Sequence, residues 1–324
     1  MKRYVFQPIR GFIALFLIFA AVCLGAQTYP NKPIKIVVGF SPGGGPDISA
    51  RVIGQKLTEK WGQSVVVENR PGAGSNIATQ VVASSKPDGY TLLSVSNAFA
   101  ISPAIYSKLP FDTLKDLEGV TLTATGSALL LVSPNLKVNT VAELIALAKK
   151  DPVKYSFSSA GVGSGSHFAA EILQAKTGVE FLHVPTKGIP EGITEVLSGR
   201  VDFFISPYAS AINMVRDGRA KAIAITSLQR GKEFPSLPAV AETVPGYQWE
   251  FWYGLIAPMG TPKDILVQIF QEVKRINQLP DVKERYASLG LEPISNTPDD
   301  FDKMIKNQVN EFIRIAKAAK ISAE

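Results

Sequence analysis

A strand, a glycine-rich loop and a helix occur twice in the same order, about 120 residues apart, and this duplication narrows the chain to a small set of two-part α/β folds. IKIVVGF (34–40) reads as a buried strand and SPGGGPD (41–47) as the loop. DISARVIGQKLTEK (47–60) reads as a helix whose apolar positions Ile48, Val52, Ile53 and Leu57 share a face. The second copy runs from the strand KYSFSSA (154–160) through AGVGSGSH (160–167) into a helix over 166–176 that Gly178 ends. The first round continues with strands SVVVEN (64–69) and YTLLSVS (90–96) around a helix over 76–84. The second continues with strand EFLHV (180–184), helix IPEGITEVLSG (189–199) and strand VDFFIS (201–206). This alternation predicts two α/β sheets with mostly parallel strands and right-handed crossovers. No period of 20 to 50 residues recurs, which argues against a solenoid.

Two more apolar runs, ALLLVSP (128–134) and FWYGLIAP (251–258), are suited to cross between lobes, and helices over 262–277 and 299–318 then return to the first. The expected division is a leader at 1–26, a discontinuous first lobe of 27–126 and 254–324, and a second lobe of 127–253. Two crossings would let the lobes hinge about a cleft.

The start MKRYVFQPIR is basic and runs into an apolar stretch of 16 residues, Gly11 to Ala26, that ends in small residues. A secretory signal peptide has this form, whereas a spanning helix needs about 20 apolar residues. Cleavage near Ala26 and a periplasmic location are therefore expected. Cys23 follows Val22 rather than a small residue, so a lipid anchor is disfavoured. Cleavage would remove Cys23, the one cysteine, and with it any disulfide or thiolate metal site. It would also remove Lys2, Arg3 and Arg10, leaving 31 basic residues against 28 acidic. A net charge of +3 on a chain of this size does not suggest nucleic acid as a partner.

The two glycine loops carry the chemistry. Glycine lets the backbone take φ > 0 and approach a ligand, and the first N–H groups of the following helix lack partners within it. Such N–H groups and the helix dipole make an anion site without a basic side chain. In open α/β sheets ligands bind beyond the carboxyl ends of the strands, so both loops are expected to face one crevice. A single loop of this kind is more simply a tight turn; two at matching positions favour binding. Cβ atoms at Gly44 and Gly163 are expected to do most harm.

Neither loop carries a nucleotide signature. SPGGGPD lacks the Lys-Ser/Thr of a P-loop, and Gly161, Gly163 and Gly165 have the wrong spacing for G-x-G-x-x-G. Asp47, in the first helical turn, more simply meets the helix dipole and pairs with Arg51 four residues on. Ser164 and His167 lack the nucleophile-elbow spacing of a hydrolase. The remaining histidine, His183, lies in an apolar strand. Both histidines read as structural, and two so placed make neither a zinc nor an iron site.

GFSPGGGPDISARVIGQKL, ENRPGAGSNIA, KPDGYTLL, YSFSSAGVGSGSHFAAEIL, HVPTKGIPEGITEVLSGRVD and WYGLIAPMGTP occur in that order. In these six blocks, which cover essentially the whole chain after the leader, the sequence resembles the tripartite tricarboxylate transporter receptors, the Bug family of periplasmic solute-binding proteins. The resemblance implies a two-lobed type II periplasmic-binding-protein fold, no catalysis and no cofactor. A small organic carboxylate would be held between the lobes by backbone groups and ordered water. A monomer would deliver it to the permease subunits of a tripartite tricarboxylate-type transporter.

Carried over residue by residue, the first loop supplies Phe40, Ser41, Gly43, Gly44 and Asp47, and the second supplies Ser159, Ala160, Gly161, Gly163, Ser164 and His167. Ser96 and Asn97 end a strand that would line the first lobe. Two positions depart from the family: Thr186 stands where a tyrosine usually precedes Lys-Gly, and Ser206 where an aspartate often follows the Val-Asp strand. Both would place a small hydroxyl on the cleft wall, and the loss of the aspartate leans toward a plain or aromatic acid over an amino acid. Neutral drift at an exposed strand end is an equal account of Ser206. Two other functions stay open: a carboxylate-sensing subunit for a membrane signalling partner, and an enzyme on the same fold. The second would need a positioned acid, base or nucleophile, and the loops offer mostly glycine and serine.

Overall fold

The computed structural model describes residues 29–231, 235–319 and 321–323; the leader expected at 1–26 lies outside them. The first round forms β1 (Ile34–Val38), α1 (Gly45–Trp61), β2 (Val65–Asn69), α2 (Asn76–Ala83), β3 (Thr91–Ser96), α3 (Asn97–Ile105) and β4 (Leu117–Gly126). The second forms β5 (Ala128–Val132), α4 (Val141–Lys150), β6 (Ser156–Ser159), α5 (Gly165–Thr177), β7 (Leu182–Pro185), α6 (Ile189–Leu197), β8 (Phe203–Pro207), α7 (Tyr208–Arg216) and β9 (Lys221–Ile225). The chain closes with β10 (Phe251–Pro258), α8 (Lys263–Ile276), α9 (Pro280–Ser288), β11 (Leu291–Pro293) and α10 (Pro298–Ala319).

These elements build two sheets, in the orders β11-β4-β10-β3-β1-β2 and β7-β6-β8-β5-β9. Each has a parallel core, with β1 beside β2 and β3, and β6 beside β7 and β8. Within each sheet the remaining strands share one direction, so the strands are mostly parallel as expected, and β10, β11 and β5 are reversed against their neighbours. The reason is topological: a chain that leaves one sheet for the other and returns must run back against the strands it left.

Both crossings sit side by side. Between β4 and β5 only Ser127 intervenes, and the return passes through 226–250. Thr226 fastens the two: its N–H donates to Ala128 O at 2.9 Å, its O accepts from Trp249 N at 3.0 Å, and its hydroxyl donates to Trp249 O at 2.7 Å. The runs 128–132 and 251–258 meet the crossings at their ends, each lying within one sheet.

Local sequence explains the main elements. In β1, Ile34, Ile36, Val37 and Val38 are all fully buried, as expected of a strand covered on both faces. Gly62 and Gly178 end α1 and α5 in the left-handed region, at φ 67 and 65, where glycine carries no Cβ penalty. The last helix buries Phe301, Ile305, Val309, Phe312 and Ala316, spaced three or four apart along one stripe. Each large member contributes roughly 1.5–3 kcal/mol by leaving water.

Asn97, expected at the end of a strand, instead begins helix α3. Its residues Ala98, Phe99, Ala100 and Ile101 are all buried. A helix covered on every side shows no 3.6-residue period, and Pro103 within it reads as a break.

Candidate functional site

The strand–loop–helix units bring the starts of α1 and α5 to one narrow cavity between the sheets. Phe40, Ser96, Ala160 and Ser164 line it, as do Pro46, Gly165, Ser166, Ile189, Pro207, Phe251 and Tyr253. Contacts bridge the sheets around it. Ser41 Oγ donates to Glu191 Oε1 at 3.0 Å, Tyr106 Oη to Val162 O at 3.3 Å, and Ser210 Oγ to Gly43 O at 3.4 Å.

Loop geometry decides which amides face this space. Gly43, Gly161 and Gly163 take φ of 84, 113 and 77, in the region open mainly to glycine. Their N–H groups are spent inside the loops: Gly43 N donates to Asp47 Oδ2 at 2.9 Å, Gly161 N to Ser159 Oγ at 3.1 Å and Gly163 N to His167 Nδ1 at 3.2 Å. Ala160 N donates to Ser166 Oγ at 2.9 Å, and Ser164 Oγ caps α5 by accepting from His167 N at 3.3 Å. Helix geometry then leaves the N–H groups of Gly165 and Ser166 at α5, and of Gly45 and Asp47 at α1, without intrahelical partners, since the first bond within α1 runs from Ile48 N to Gly44 O. No side chain caps α1. Of these residues Gly165 and Ser166 line the cavity, and Gly45 lies against the cavity residue Tyr253. Gly44 has φ −77, and a Cβ there would meet no protein atom closer than 3.6 Å, so the expectation of a positive φ at Gly44 is corrected.

The other expected site residues act behind the wall. Burial raises the Asp47 carboxyl, but hydrogen bonds from Arg51, Gly43 N–H and Asn69 outweigh it and hold it below the usual carboxylate range. The Asp47–Arg51 pair forms at 2.9 Å. Asn97 donates from Nδ2 to Glu250 O and accepts at Oδ1 from Trp252 N, tying α3 to the returning chain. Thr186 Oγ1 bonds the carbonyls of Ser159 at 2.7 Å and Gly188 at 2.8 Å. Ser206 is fully buried and donates to Pro207 O, so its strand end is not exposed. None of Ser41, Gly43, Gly44, Asp47, Asn97, Ser159, Gly161, Gly163, His167, Thr186 or Ser206 lines the cavity.

Beneath the second loop the two histidines stack at 4.0 Å and 10°, and Phe157 stacks on His183 at 4.7 Å. His183 Nε2 meets Ser159 Oγ at 2.6 Å, so both rings hold loop atoms in place. This Ser–His contact lies under the loop, away from the cavity lining. Burial, and then the charge of His167, hold His183 down from 6.5 to about 3. The folded protein therefore refuses a proton that the unfolded chain takes up below about pH 6.5, so stability is full above that pH and falls as pH drops toward 3. A loss of roughly 2 kcal/mol between pH 7 and pH 5 is expected from this group. Urea unfolding at both pH values checks it against His183→Asn; parallel pH dependences would remove His183 as the cause.

Pro46, Gly165, Ser166, Ile189, Pro207, Phe251 and Tyr253 escaped the sequence reading. A signal existed for two of them: Phe251 and Tyr253 alternate along a strand and so share a face.

Two α/β sheets joined by paired crossings, with two helix starts converging on the space between them, define a two-lobed periplasmic binding protein. A family profile described as the tripartite tricarboxylate transporter family receptor matches residues 49–321. The chain belongs to this family. BugT of Bordetella pertussis is 33% identical over 310 residues, covering 94% of this chain and 95% of that protein. Among solved structures, Rpa4515 of R. palustris with adipate has a TM-score of 0.88 at 30% identity, covering 91% of this chain and 99% of its own. MatC from Rhodopseudomonas palustris with bound malate has a TM-score of 0.83 at 27% identity, covering 89% and 99%.

Proposed function

We propose that this protein, exported to the periplasm and cleaved near Ala26, captures a small organic carboxylate between its lobes and delivers it to the permease subunits of a tripartite tricarboxylate-type transporter. The observation that carries the reading is the convergence of the α1 and α5 N-termini on one cavity with no lysine or arginine in its lining. Two such ends suit one carboxylate each, or one carboxylate and an apolar tail. The adipate and malate bound by the two structural relatives support an acid of about that size. The lobes are taken as 27–126 with 251–324, and 127–250, moving about Ser127 and Thr226; the expected boundary at 253/254 shifts because β10 lies whole in the first sheet.

Thermal shift with adipate, malate, citrate and benzoate tests the cargo, because a ligand that binds only the folded state raises the melting temperature. At a hundred times Kd the stabilisation is about 2.7 kcal/mol. No shift with any carboxylate at millimolar concentration would sink the reading. Closure is tested with the same ligands: the radius of gyration from small-angle scattering is expected to fall on saturation. An unchanged radius would indicate a rigid pocket.

A further inference from the structure

The hydroxyl of Tyr253 is the conspicuous unused group of the cleft. Tyr253 is 1% exposed and lines the cavity, yet its Oη has no hydrogen-bond partner. A buried hydroxyl without a partner is costly to keep. Its position is built by neighbours on all sides. On β10 it stands opposite Ser96, the last residue of β3, and shares its face with Phe251, another cavity residue. Its Oη occupies the place of the side chain that Gly45 lacks: a Cβ there would lie 2.0 Å from it. Gly45 is the first residue of α1, where the helix presents an uncapped N–H and its positive end. Burial pushes the phenol well above its usual range, so it stays a neutral donor at any physiological pH.

We propose that Tyr253 is a specificity-determining contact, donating its hydroxyl hydrogen to the ligand carboxylate oxygen that also accepts from the start of α1. This rests on the reading of the cleft as a carboxylate site. It assigns the position a hydroxyl donor in place of an ion pair, which selects ligands that present an anionic acceptor there and disfavours ligands that present an ammonium or other donor group alone. It also explains why the first helical residue is glycine: any side chain would displace the hydroxyl from the amide it works with.

Tyr253→Phe keeps the ring and removes the donor. In calorimetry with adipate, malate, citrate and benzoate, the ligands retained by wild type are expected to bind the variant roughly ten- to a hundredfold more weakly. The melting temperature without ligand is expected to stay level or rise, because an unpartnered buried hydroxyl is gone; a purely structural role would lower it. Affinity within twofold of wild type would overturn the inference while leaving the carboxylate site standing. A wild-type protein that binds none of the four would overturn both, so the two failures are distinguishable.

Discussion

Gly163→Val is expected to weaken binding of any carboxylate that wild type retains by roughly a hundredfold, a loss of about 2.7 kcal/mol. Gly163 sits at φ 77, and a left-handed conformation costs a residue with a Cβ roughly 1–2 kcal/mol, more when it is β-branched. A Cβ there would also lie 2.6 Å from Ile105 Cδ1, across the lobe boundary. The loop would have to turn elsewhere, breaking the bond from Gly163 N to His167 Nδ1 and mis-aiming the Gly165 and Ser166 amides that follow. Lys187, the nearest plausible cationic competitor, is exposed and absent from the cavity lining. Lys187→Ala is expected to change affinity by less than about fivefold, since an exposed charge pair is worth at most about 1 kcal/mol. Calorimetry on both variants, with circular dichroism to confirm folding, gives the comparison. A larger loss for Lys187→Ala would show that a side-chain ion pair holds the ligand.

Phe157→Ala is expected to destabilise the fold by roughly 3–5 kcal/mol, a fall in melting temperature on the order of 10 °C for a chain of this size. Phe157 is fully buried, stacks on His183 at 4.7 Å and contacts Phe203 at 5.7 Å. The cavity left behind would admit water to His183 and lessen the burial that keeps it neutral. The acid sensitivity assigned to His183 should therefore shrink in the same variant. Urea unfolding reads both; a loss below about 1 kcal/mol would mean that the ring is not what supports the second loop.

The fold was legible where side chains repeat in a period that local structure imposes. IKIVVGF and the apolar stripe Ile48, Val52, Ile53 and Leu57 revealed β1 and α1, and Gly178 marked the end of α5 to the residue. Where burial is complete the period vanishes, and α3 went unread for that reason. Of the site, the loops and the structural role of Asp47 were legible, because Arg51 stands one helical turn away.

By itself, the sequence determined that two strand–glycine-loop–helix units exist, that each ends in a helix start able to attract an anion, and that neither carries the spacing of a nucleophile elbow or a nucleotide loop. These are properties of residues within about one helical turn of each other. Only the tertiary structure decided which N–H groups are free. Asp47, Ser159 and His167 occupy the amides of the positive-φ glycines, while Gly165 and Ser166 at the start of α5 line the cavity. It also decided that Phe251 and Tyr253, some two hundred residues after the first loop in the chain, form its wall. An antiparallel return of β10 against β3 brings them there, and such a pairing follows from how the two crossings meet and not from any local pattern.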